Sequence, residues 1–227
     1  MNPHATVLAC ATVDDVGIFG STGVRALWRD LDDDAPGTGR TMKAVFDKAD
    51  ATFRRIDLPA RALVLACAAA GIERALDQDQ RNRTAICIET GIGSLKTDLD
   101  FAASLGDECV HAGIFPYSLT STSLGEVALR YKLRGPTISM STDAASHGES
   151  LREGLRMLGS GDVEHVLVGA VDCLAEPAHG IAAGTRAVVV LLARPRPGVD
   201  GLATANWPPE DPTCGKDPWR AFVTMAR

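Results

Sequence analysis

The sequence predicts an α/β fold in which a five-stranded, mostly parallel sheet carries helices on both faces. Residues 5–13, 84–90, 137–142, 164–171 and 186–193 are short apolar or β-branched runs bounded by turn residues, the pattern of buried strands. Between them, residues 22–31, 58–77, 95–105, 118–133 and 145–159 place apolar residues at helical spacing. Strands that alternate with helices in this way build a sheet through right-handed crossovers.

Taken in order, Val7 to Val13 forms the first strand, and Val24 to Leu31, with Trp28 inside it, reads as a helix. Asp32 to Gly39 is a polar loop rather than a domain linker. Asp57 is placed to cap a helix whose first turn holds Pro59, and Ala60 to Leu76 is so rich in Ala and Leu that this helix should be buried on more than one side. Thr84 to Gly93 is a strand running into a glycine-bearing turn. Gly91-Ile92-Gly93-Ser94 lacks the lysine of a phosphate loop and the frame of a dinucleotide fingerprint, which leaves a tight turn.

On the helix at 145–159, Leu151, Leu155 and Leu158 make one stripe, and Glu149, Arg152, Glu153 and Arg156 occupy the rest. Burying four such charges without partners would cost several kcal/mol each, so this face is expected in solvent or against a polar partner. The 33 residues after Arg194 include Pro195, Pro197, Pro208, Pro209, Pro212 and Pro218 and read as extended or irregular covering chain. The expected division is a domain at 1–194 and a tail at 195–227 packed on it.

A net charge of −6 argues against nucleic acid as a partner. An acidic partner would need a local basic patch; Arg54, Arg55, Arg81 and Arg83 are candidates, with plain solvated arginines as the other reading. Six cysteines lie far apart, without C-x-x-C or Cys/His ligand spacing, so neither zinc nor a disulfide framework is indicated. Cys10, Cys67, Cys87 and Cys173 fall in apolar segments, where cysteine behaves as a small hydrophobe. Cys109 and Cys214 sit in less regular chain and are the ones to test for reactivity. No apolar run approaches membrane-spanning length and the first residues carry no basic region with a following hydrophobic stretch, so a cytoplasmic protein with no cofactor or metal is expected.

The stretch Gly135-Pro136-Thr137-Ile138-Ser139-Met140-Ser141-Thr142-Asp143-Ala144-Ala145-Ser146 resembles the segment of β-ketoacyl synthases in which a glycine-proline pair opens a strand that delivers a cysteine to a helix N-terminus. Aligned on Gly135-Pro136 and Thr142, the cysteine position falls at Ala144. A thiolate there would draw on unpaired N–H groups and the positive end of the helix dipole; alanine can do neither. Further pieces follow in the family's order: Val7 to Val13 with Gly20 and Val24 to Leu31, Arg54-Arg55-Ile56-Asp57, Thr84 to Gly93, Phe115 to Leu133, Gly159 to Asp162 with Val166 to Ala170, and Ala183 to Arg186 leading into Ala187 to Leu192.

The resemblance implies the N-terminal half of a thiolase-like fold, closest to short, chain-length-factor-like relatives of the condensing enzymes. Its second half, which supplies two histidines in those enzymes, has no counterpart here; His4, His111, His147, His165 and His179 lie outside segments that resemble the histidine motifs. It further implies that strand 137–142 is a sheet edge that pairs across a two-fold axis, giving a dimer with itself or with a ketosynthase-like chain. Two functions stay open. One is a non-condensing accessory subunit in fatty acid or polyketide-type biosynthesis, working with a ketosynthase or an acyl carrier protein. The other is a small enzyme for acyl thioesters in which Asp143, Ser146 and His147 act together, Asp143 and His147 being four residues apart, with Ser141 or Ser121 as further hydroxyls. A capping role for Asp143 is the plainer alternative.

Overall fold

A computed structural model of the chain describes residues 4–28, 53–106, 110–143, 147–196, 198, 201–206, 217 and 219–227. In chain order, β1 (His4–Asp14), β2 (Gly17–Gly20) and β3 (Arg25–Leu27) precede a 3-10 turn at Phe53–Arg55. Then come α1 (Leu58–Ala70), α2 (Ile72–Ala75), α3 (Gln78–Asn82), β4 (Ala85–Thr90), α4 (Leu95–Ser104), a 3-10 stretch at Ala112–Ser118, α5 (Thr120–Tyr131), β5 (Thr137–Ser141) and α6 (Glu149–Ser160). Strands β6 (His165–Leu174), β7 (Gly184–Ala193) and β8 (Ala203–Asn206) and helix α7 (Trp219–Ala226) complete the chain.

The strands form one sheet in the order β3-β2-β1-β7-β6-β4-β5, with β8 beside β1. The α/β class holds, but among the described residues the sheet has eight strands, not five, and is mixed rather than mostly parallel. Of these strands β4–β5 and β4–β6 pair in parallel; β1 with β2, β7 and β8, β2 with β3, and β6 with β7 are antiparallel. Connection length is the reason. The links at 15–16, 21–24 and 175–183 are too short for the dozen or more residues that a parallel crossover needs.

The helix expected at 22–31 is likewise corrected, since residues 25–27 are strand β3. Gly20 and Gly23 make the turn that wins: the Gly23 N–H donates to Gly20 O and the Gly20 N–H to Val24 O. Trp28 then anchors the hairpin by donating its indole N–H to Asp14 O at 2.6 Å. The tail read as extended or irregular chain contains the extended β8, which pairs with His4 to Val7, and also a helix that was not expected, the amphipathic α7.

Helices cover both faces, as expected. Ala11, Val13, Ile86, Ile88, Leu167, Val189 and Leu191 point to the α1/α5 side. Val7, Cys87, Val166, Val168, Val188, Val190 and Leu192 point to the α6/α7 side. Helix α1 is buried nearly all round, between the sheet and α5, with the Tyr131 hydroxyl donating to Val64 O at 2.6 Å. It does not run to residue 77 unbroken, because Gly71 takes the left-handed conformation at φ 71° and closes its end. On the other face α6 lies so close to β6 that a Cβ at Gly154 would stand 2.3 Å from Val168 Cγ1.

Candidate functional site

Strands β1, β4, β5 and β6 run in one direction, and their carboxyl ends form the rim at which ligands bind in open α/β sheets. Helix α6 begins here. It was expected from residue 145, but its first helical residue is Glu149, preceded by Gly148 at φ 92°. Asp143 is exposed and non-helical, and His147 lies half-buried in a turn. The two therefore do not share a helical face. Ala144, at the position the resemblance gives to the cysteine, and Ser146 lie outside the described residues, as do Cys109 and Cys214. Ser141 ends β5 and Ser121 sits on α5, both exposed.

The side chain that organises this end is one that sequence reasoning missed. Glu89, at the end of the apolar run Ala85-Ile86-Cys87-Ile88, is 1% exposed. Its Oε1 accepts from the Gly148 N–H and from the Trp219 indole N–H, and its Oε2 from the Ser150 N–H, all at 2.8 Å. Glu89 thus caps α6 from a neighbouring strand, in place of the missing N-cap side chain. Ser150 turns its hydroxyl away, donating to Gly169 O at 2.8 Å. A carboxylate at the end of a buried strand needs donors, and that was a legible signal; that one of them is Trp219, 130 residues away, was not.

A second carboxylate fixes the adjoining turn. Asp172 Oδ1 accepts from Thr90 Oγ1 at 2.8 Å, the Gly91 N–H at 2.9 Å and the Ile92 N–H at 3.1 Å. The tight turn expected at 91–94 is thus tied to β6. Asp57 caps α1 as expected, accepting from the Ala60 N–H at 3.1 Å, and meets Thr97 Oγ1 of α4 at 3.5 Å. Burial pushes its carboxyl up to about 6, against the pull of the Ala60 N–H, Thr97 and Arg61. Along the same rim, an open groove of about 260 Å³ is bordered by Asp14, Asp15, Arg186, Asp217 and Arg220. Here Asp217 pairs with Arg186, Asp14 with Arg227, and Asp15 accepts from the Thr185 N–H.

Of the candidate arginines, Arg55, Arg81 and Arg83 do not make one patch, and the side chain of Arg54 lies outside the described ones. Arg55 stands near Asp57 in the chain, whereas Arg81 and Arg83 precede β4 at the opposite end of the sheet, Arg81 lying 4.0 Å from Glu73. Cys10, Cys67, Cys87 and Cys173 are buried and free. Burial raises all four thiols, Cys10 to about 11 and Cys87 to about 12, so none is a ready nucleophile. Among the described residues no three His, Cys, Asp or Glu side chains gather as a metal site, and no helix is long and apolar enough to cross a membrane.

The outer face of α6, expected in solvent or against a polar partner, carries exposed ion pairs. Glu149 pairs with Arg152, Glu153 with Arg156 at 2.7 Å, and Arg156 reaches Asp162 at 3.9 Å, the two arginine side chains being about 60% exposed.

A family model for the N-terminal domain of β-ketoacyl synthases matches residues 25–191, well over half of the chain. The chain belongs to that family. Among curated proteins it is similar to a 3-oxoacyl-[acyl-carrier-protein] synthase 2 of Rhizobium meliloti (strain 1021), with 29% identity over 111 residues, which are 48% of this chain and 26% of that one. Its ketosynthase-like fold also resembles that of the ishigamide ketosynthase/chain length factor, with a TM-score of 0.59 at 20% identity over 83% of this chain and 62% of the other. A third match is a ketosynthase in complex with its chain length factor from Xenorhabdus doucetiae, with a TM-score of 0.50 at 19% identity over 63% of this chain and 60% of the other. The chain thus spans about a quarter of the curated synthase and about three fifths of these solved chains. The near-equal shares in the last match put the chain matched there at about the length of this one.

Proposed function

We propose that this chain is a non-condensing, chain-length-factor-like subunit that pairs with a ketosynthase through the open edge of β5 in fatty acid or polyketide-type biosynthesis. The observation that carries the reading is that edge. Among the described residues β5 pairs on one side only, with β4, and its Thr-Ile-Ser-Met-Ser sequence holds no charge, proline or glycine to discourage a partner strand. The Thr142 N–H donates to Thr90 O, and Pro136 O accepts from the Ile86 N–H. Even-numbered backbone groups therefore face β4, and those of Thr137, Ser139 and Ser141 face outward. Ser139 Oγ and Thr120 Oγ1 are 3.0 Å apart, which sets the start of α5 beside this edge, next to the exposed Leu119 and close in sequence to the exposed Phe115.

The ion-paired face of α6 supports the same reading, because stacking a second sheet on it would bury four charges. On this account residues 1–194 are the ketosynthase-like domain, 195–227 pack on it as a tail, and the pair works in the cytoplasm on acyl groups held by a carrier protein. Alanine at 144 leaves condensation to the partner. The test is the intact mass of malonyl-loaded and acyl-loaded carrier proteins after incubation with this chain alone and with a ketosynthase. Masses unchanged by the chain alone are expected. Decarboxylation, hydrolysis or transfer by the chain alone, lost when Asp143, Ser146 and His147 become alanine, would overturn the reading.

A further inference from the structure

Among the acidic and basic side chains of the described residues, Glu89 is the buried one. Its three donors would serve any anion. Two are main-chain N–H groups at the start of the twelve-residue α6, Gly148 and Ser150, where the helix carries partial positive charge. The third is the Trp219 indole, brought by α7 from the far end of the chain. In a protein that stabilises an oxyanion or binds a carboxylate at a helix start, such groups point at the ligand. Here all three point at the protein's own carboxylate, 2.8 Å away.

We propose that Glu89, closed in by Trp219, is an internal anion filling the anion site at the start of α6, so that the chain excludes malonyl carboxylates and thioester oxyanions there. This deepens the non-condensing role proposed above and rests on it. The donors are already engaged, and a second negative charge would face Glu89 across a few ångströms of low-dielectric interior, where like charges repel far more strongly than in water. The sequence has alanine at 144, and Glu89 separately occupies the helix start. Chemistry that needs a stabilised negative charge falls to the partner chain, and what approaches α6 here is the uncharged part of an acyl group.

The experiment is chemical rescue of Glu89→Ala. Removing the side chain leaves three donors around a cavity sized for a small carboxylate. The variant should unfold at a lower temperature than the wild type. Sodium formate or acetate should raise its Tm saturably above sodium chloride at equal ionic strength, while leaving the wild type unmoved. Glu89→Gln keeps the volume without the charge and should show no saturable response. An equal response of wild type and Glu89→Ala, or none in either, would overturn the proposal. Should Glu89→Ala fail to fold, amide hydrogen exchange in the wild type decides: Gly148 and Ser150 should be among the slowly exchanging amides, and fast exchange at both would refute the occupancy. A chain that decarboxylates malonyl carriers alone sinks the functional reading whatever acetate does. Absent rescue in a chain without activity sinks only the role of Glu89.

Discussion

Asp57 shows how one carboxylate serves both the fold and its pH dependence. It caps α1, yet burial holds its carboxyl at about 6 rather than the ordinary 3.8. The folded state therefore binds this proton more tightly than the unfolded state. The contribution is fully present below about pH 4 and is lost as pH rises through about 6, on the order of 3 kcal/mol in all. Asparagine caps as well as aspartate, so Asp57→Asn should keep α1 and flatten this part of the profile, as read by urea unfolding at pH 4 and pH 7. Trp219→Phe should cost about 1.5–3 kcal/mol by the same method, the value of a hydrogen bond to a charged group, because the indole N–H is lost and the packing against Phe222 is largely kept. The cap at Asp57 was legible because its signal is local, an aspartate before a proline and an apolar run. The Trp219–Glu89 bond was not, since nothing local ties a tail tryptophan to a strand residue.

At the scale of elements, the mainly buried strands β1, β4, β6 and β7 declared themselves as apolar runs, and β5, half-exposed, was read from its turn-bounded β-branched residues. Their directions were not read. Helical spacing around Trp28 outweighed the glycines at 20 and 23, and the short link after β6 was overlooked as a sign of antiparallel return. Helix α6 was read correctly as one-sided, and its two consequences are measurable. Arg152→Ala and Arg156→Ala should each cost less than about 1 kcal/mol, because exposed ion pairs contribute little; a loss of several kcal/mol would mean that this face is covered. Gly154→Ala should cost about 1–3 kcal/mol, since the added methyl meets Val168 and forces α6 off the sheet.

At the scale of the whole molecule, the described residues show which faces of the sheet are covered and which are not. Among the described residues helix α7 covers the sheet at β1 and β7, the outer face of α6 carries ion pairs, and β5 is an uncharged strand at the end of the sheet. The family, and β5 as a sheet edge, could be read from ordered motifs, whereas the antiparallel pairing of β1, β6 and β7 needed the strand order. Pairing through that edge is the central claim, and native mass spectrometry of the chain co-expressed with complete ketosynthases tests it most directly. Ser139→Pro removes an outward N–H without touching the β4 ladder. The account predicts a one-to-one complex with the wild type that is absent with Ser139→Pro, the variant remaining folded by circular dichroism. A chain that stays alone beside every ketosynthase, or a complex that the proline leaves intact, would contradict it.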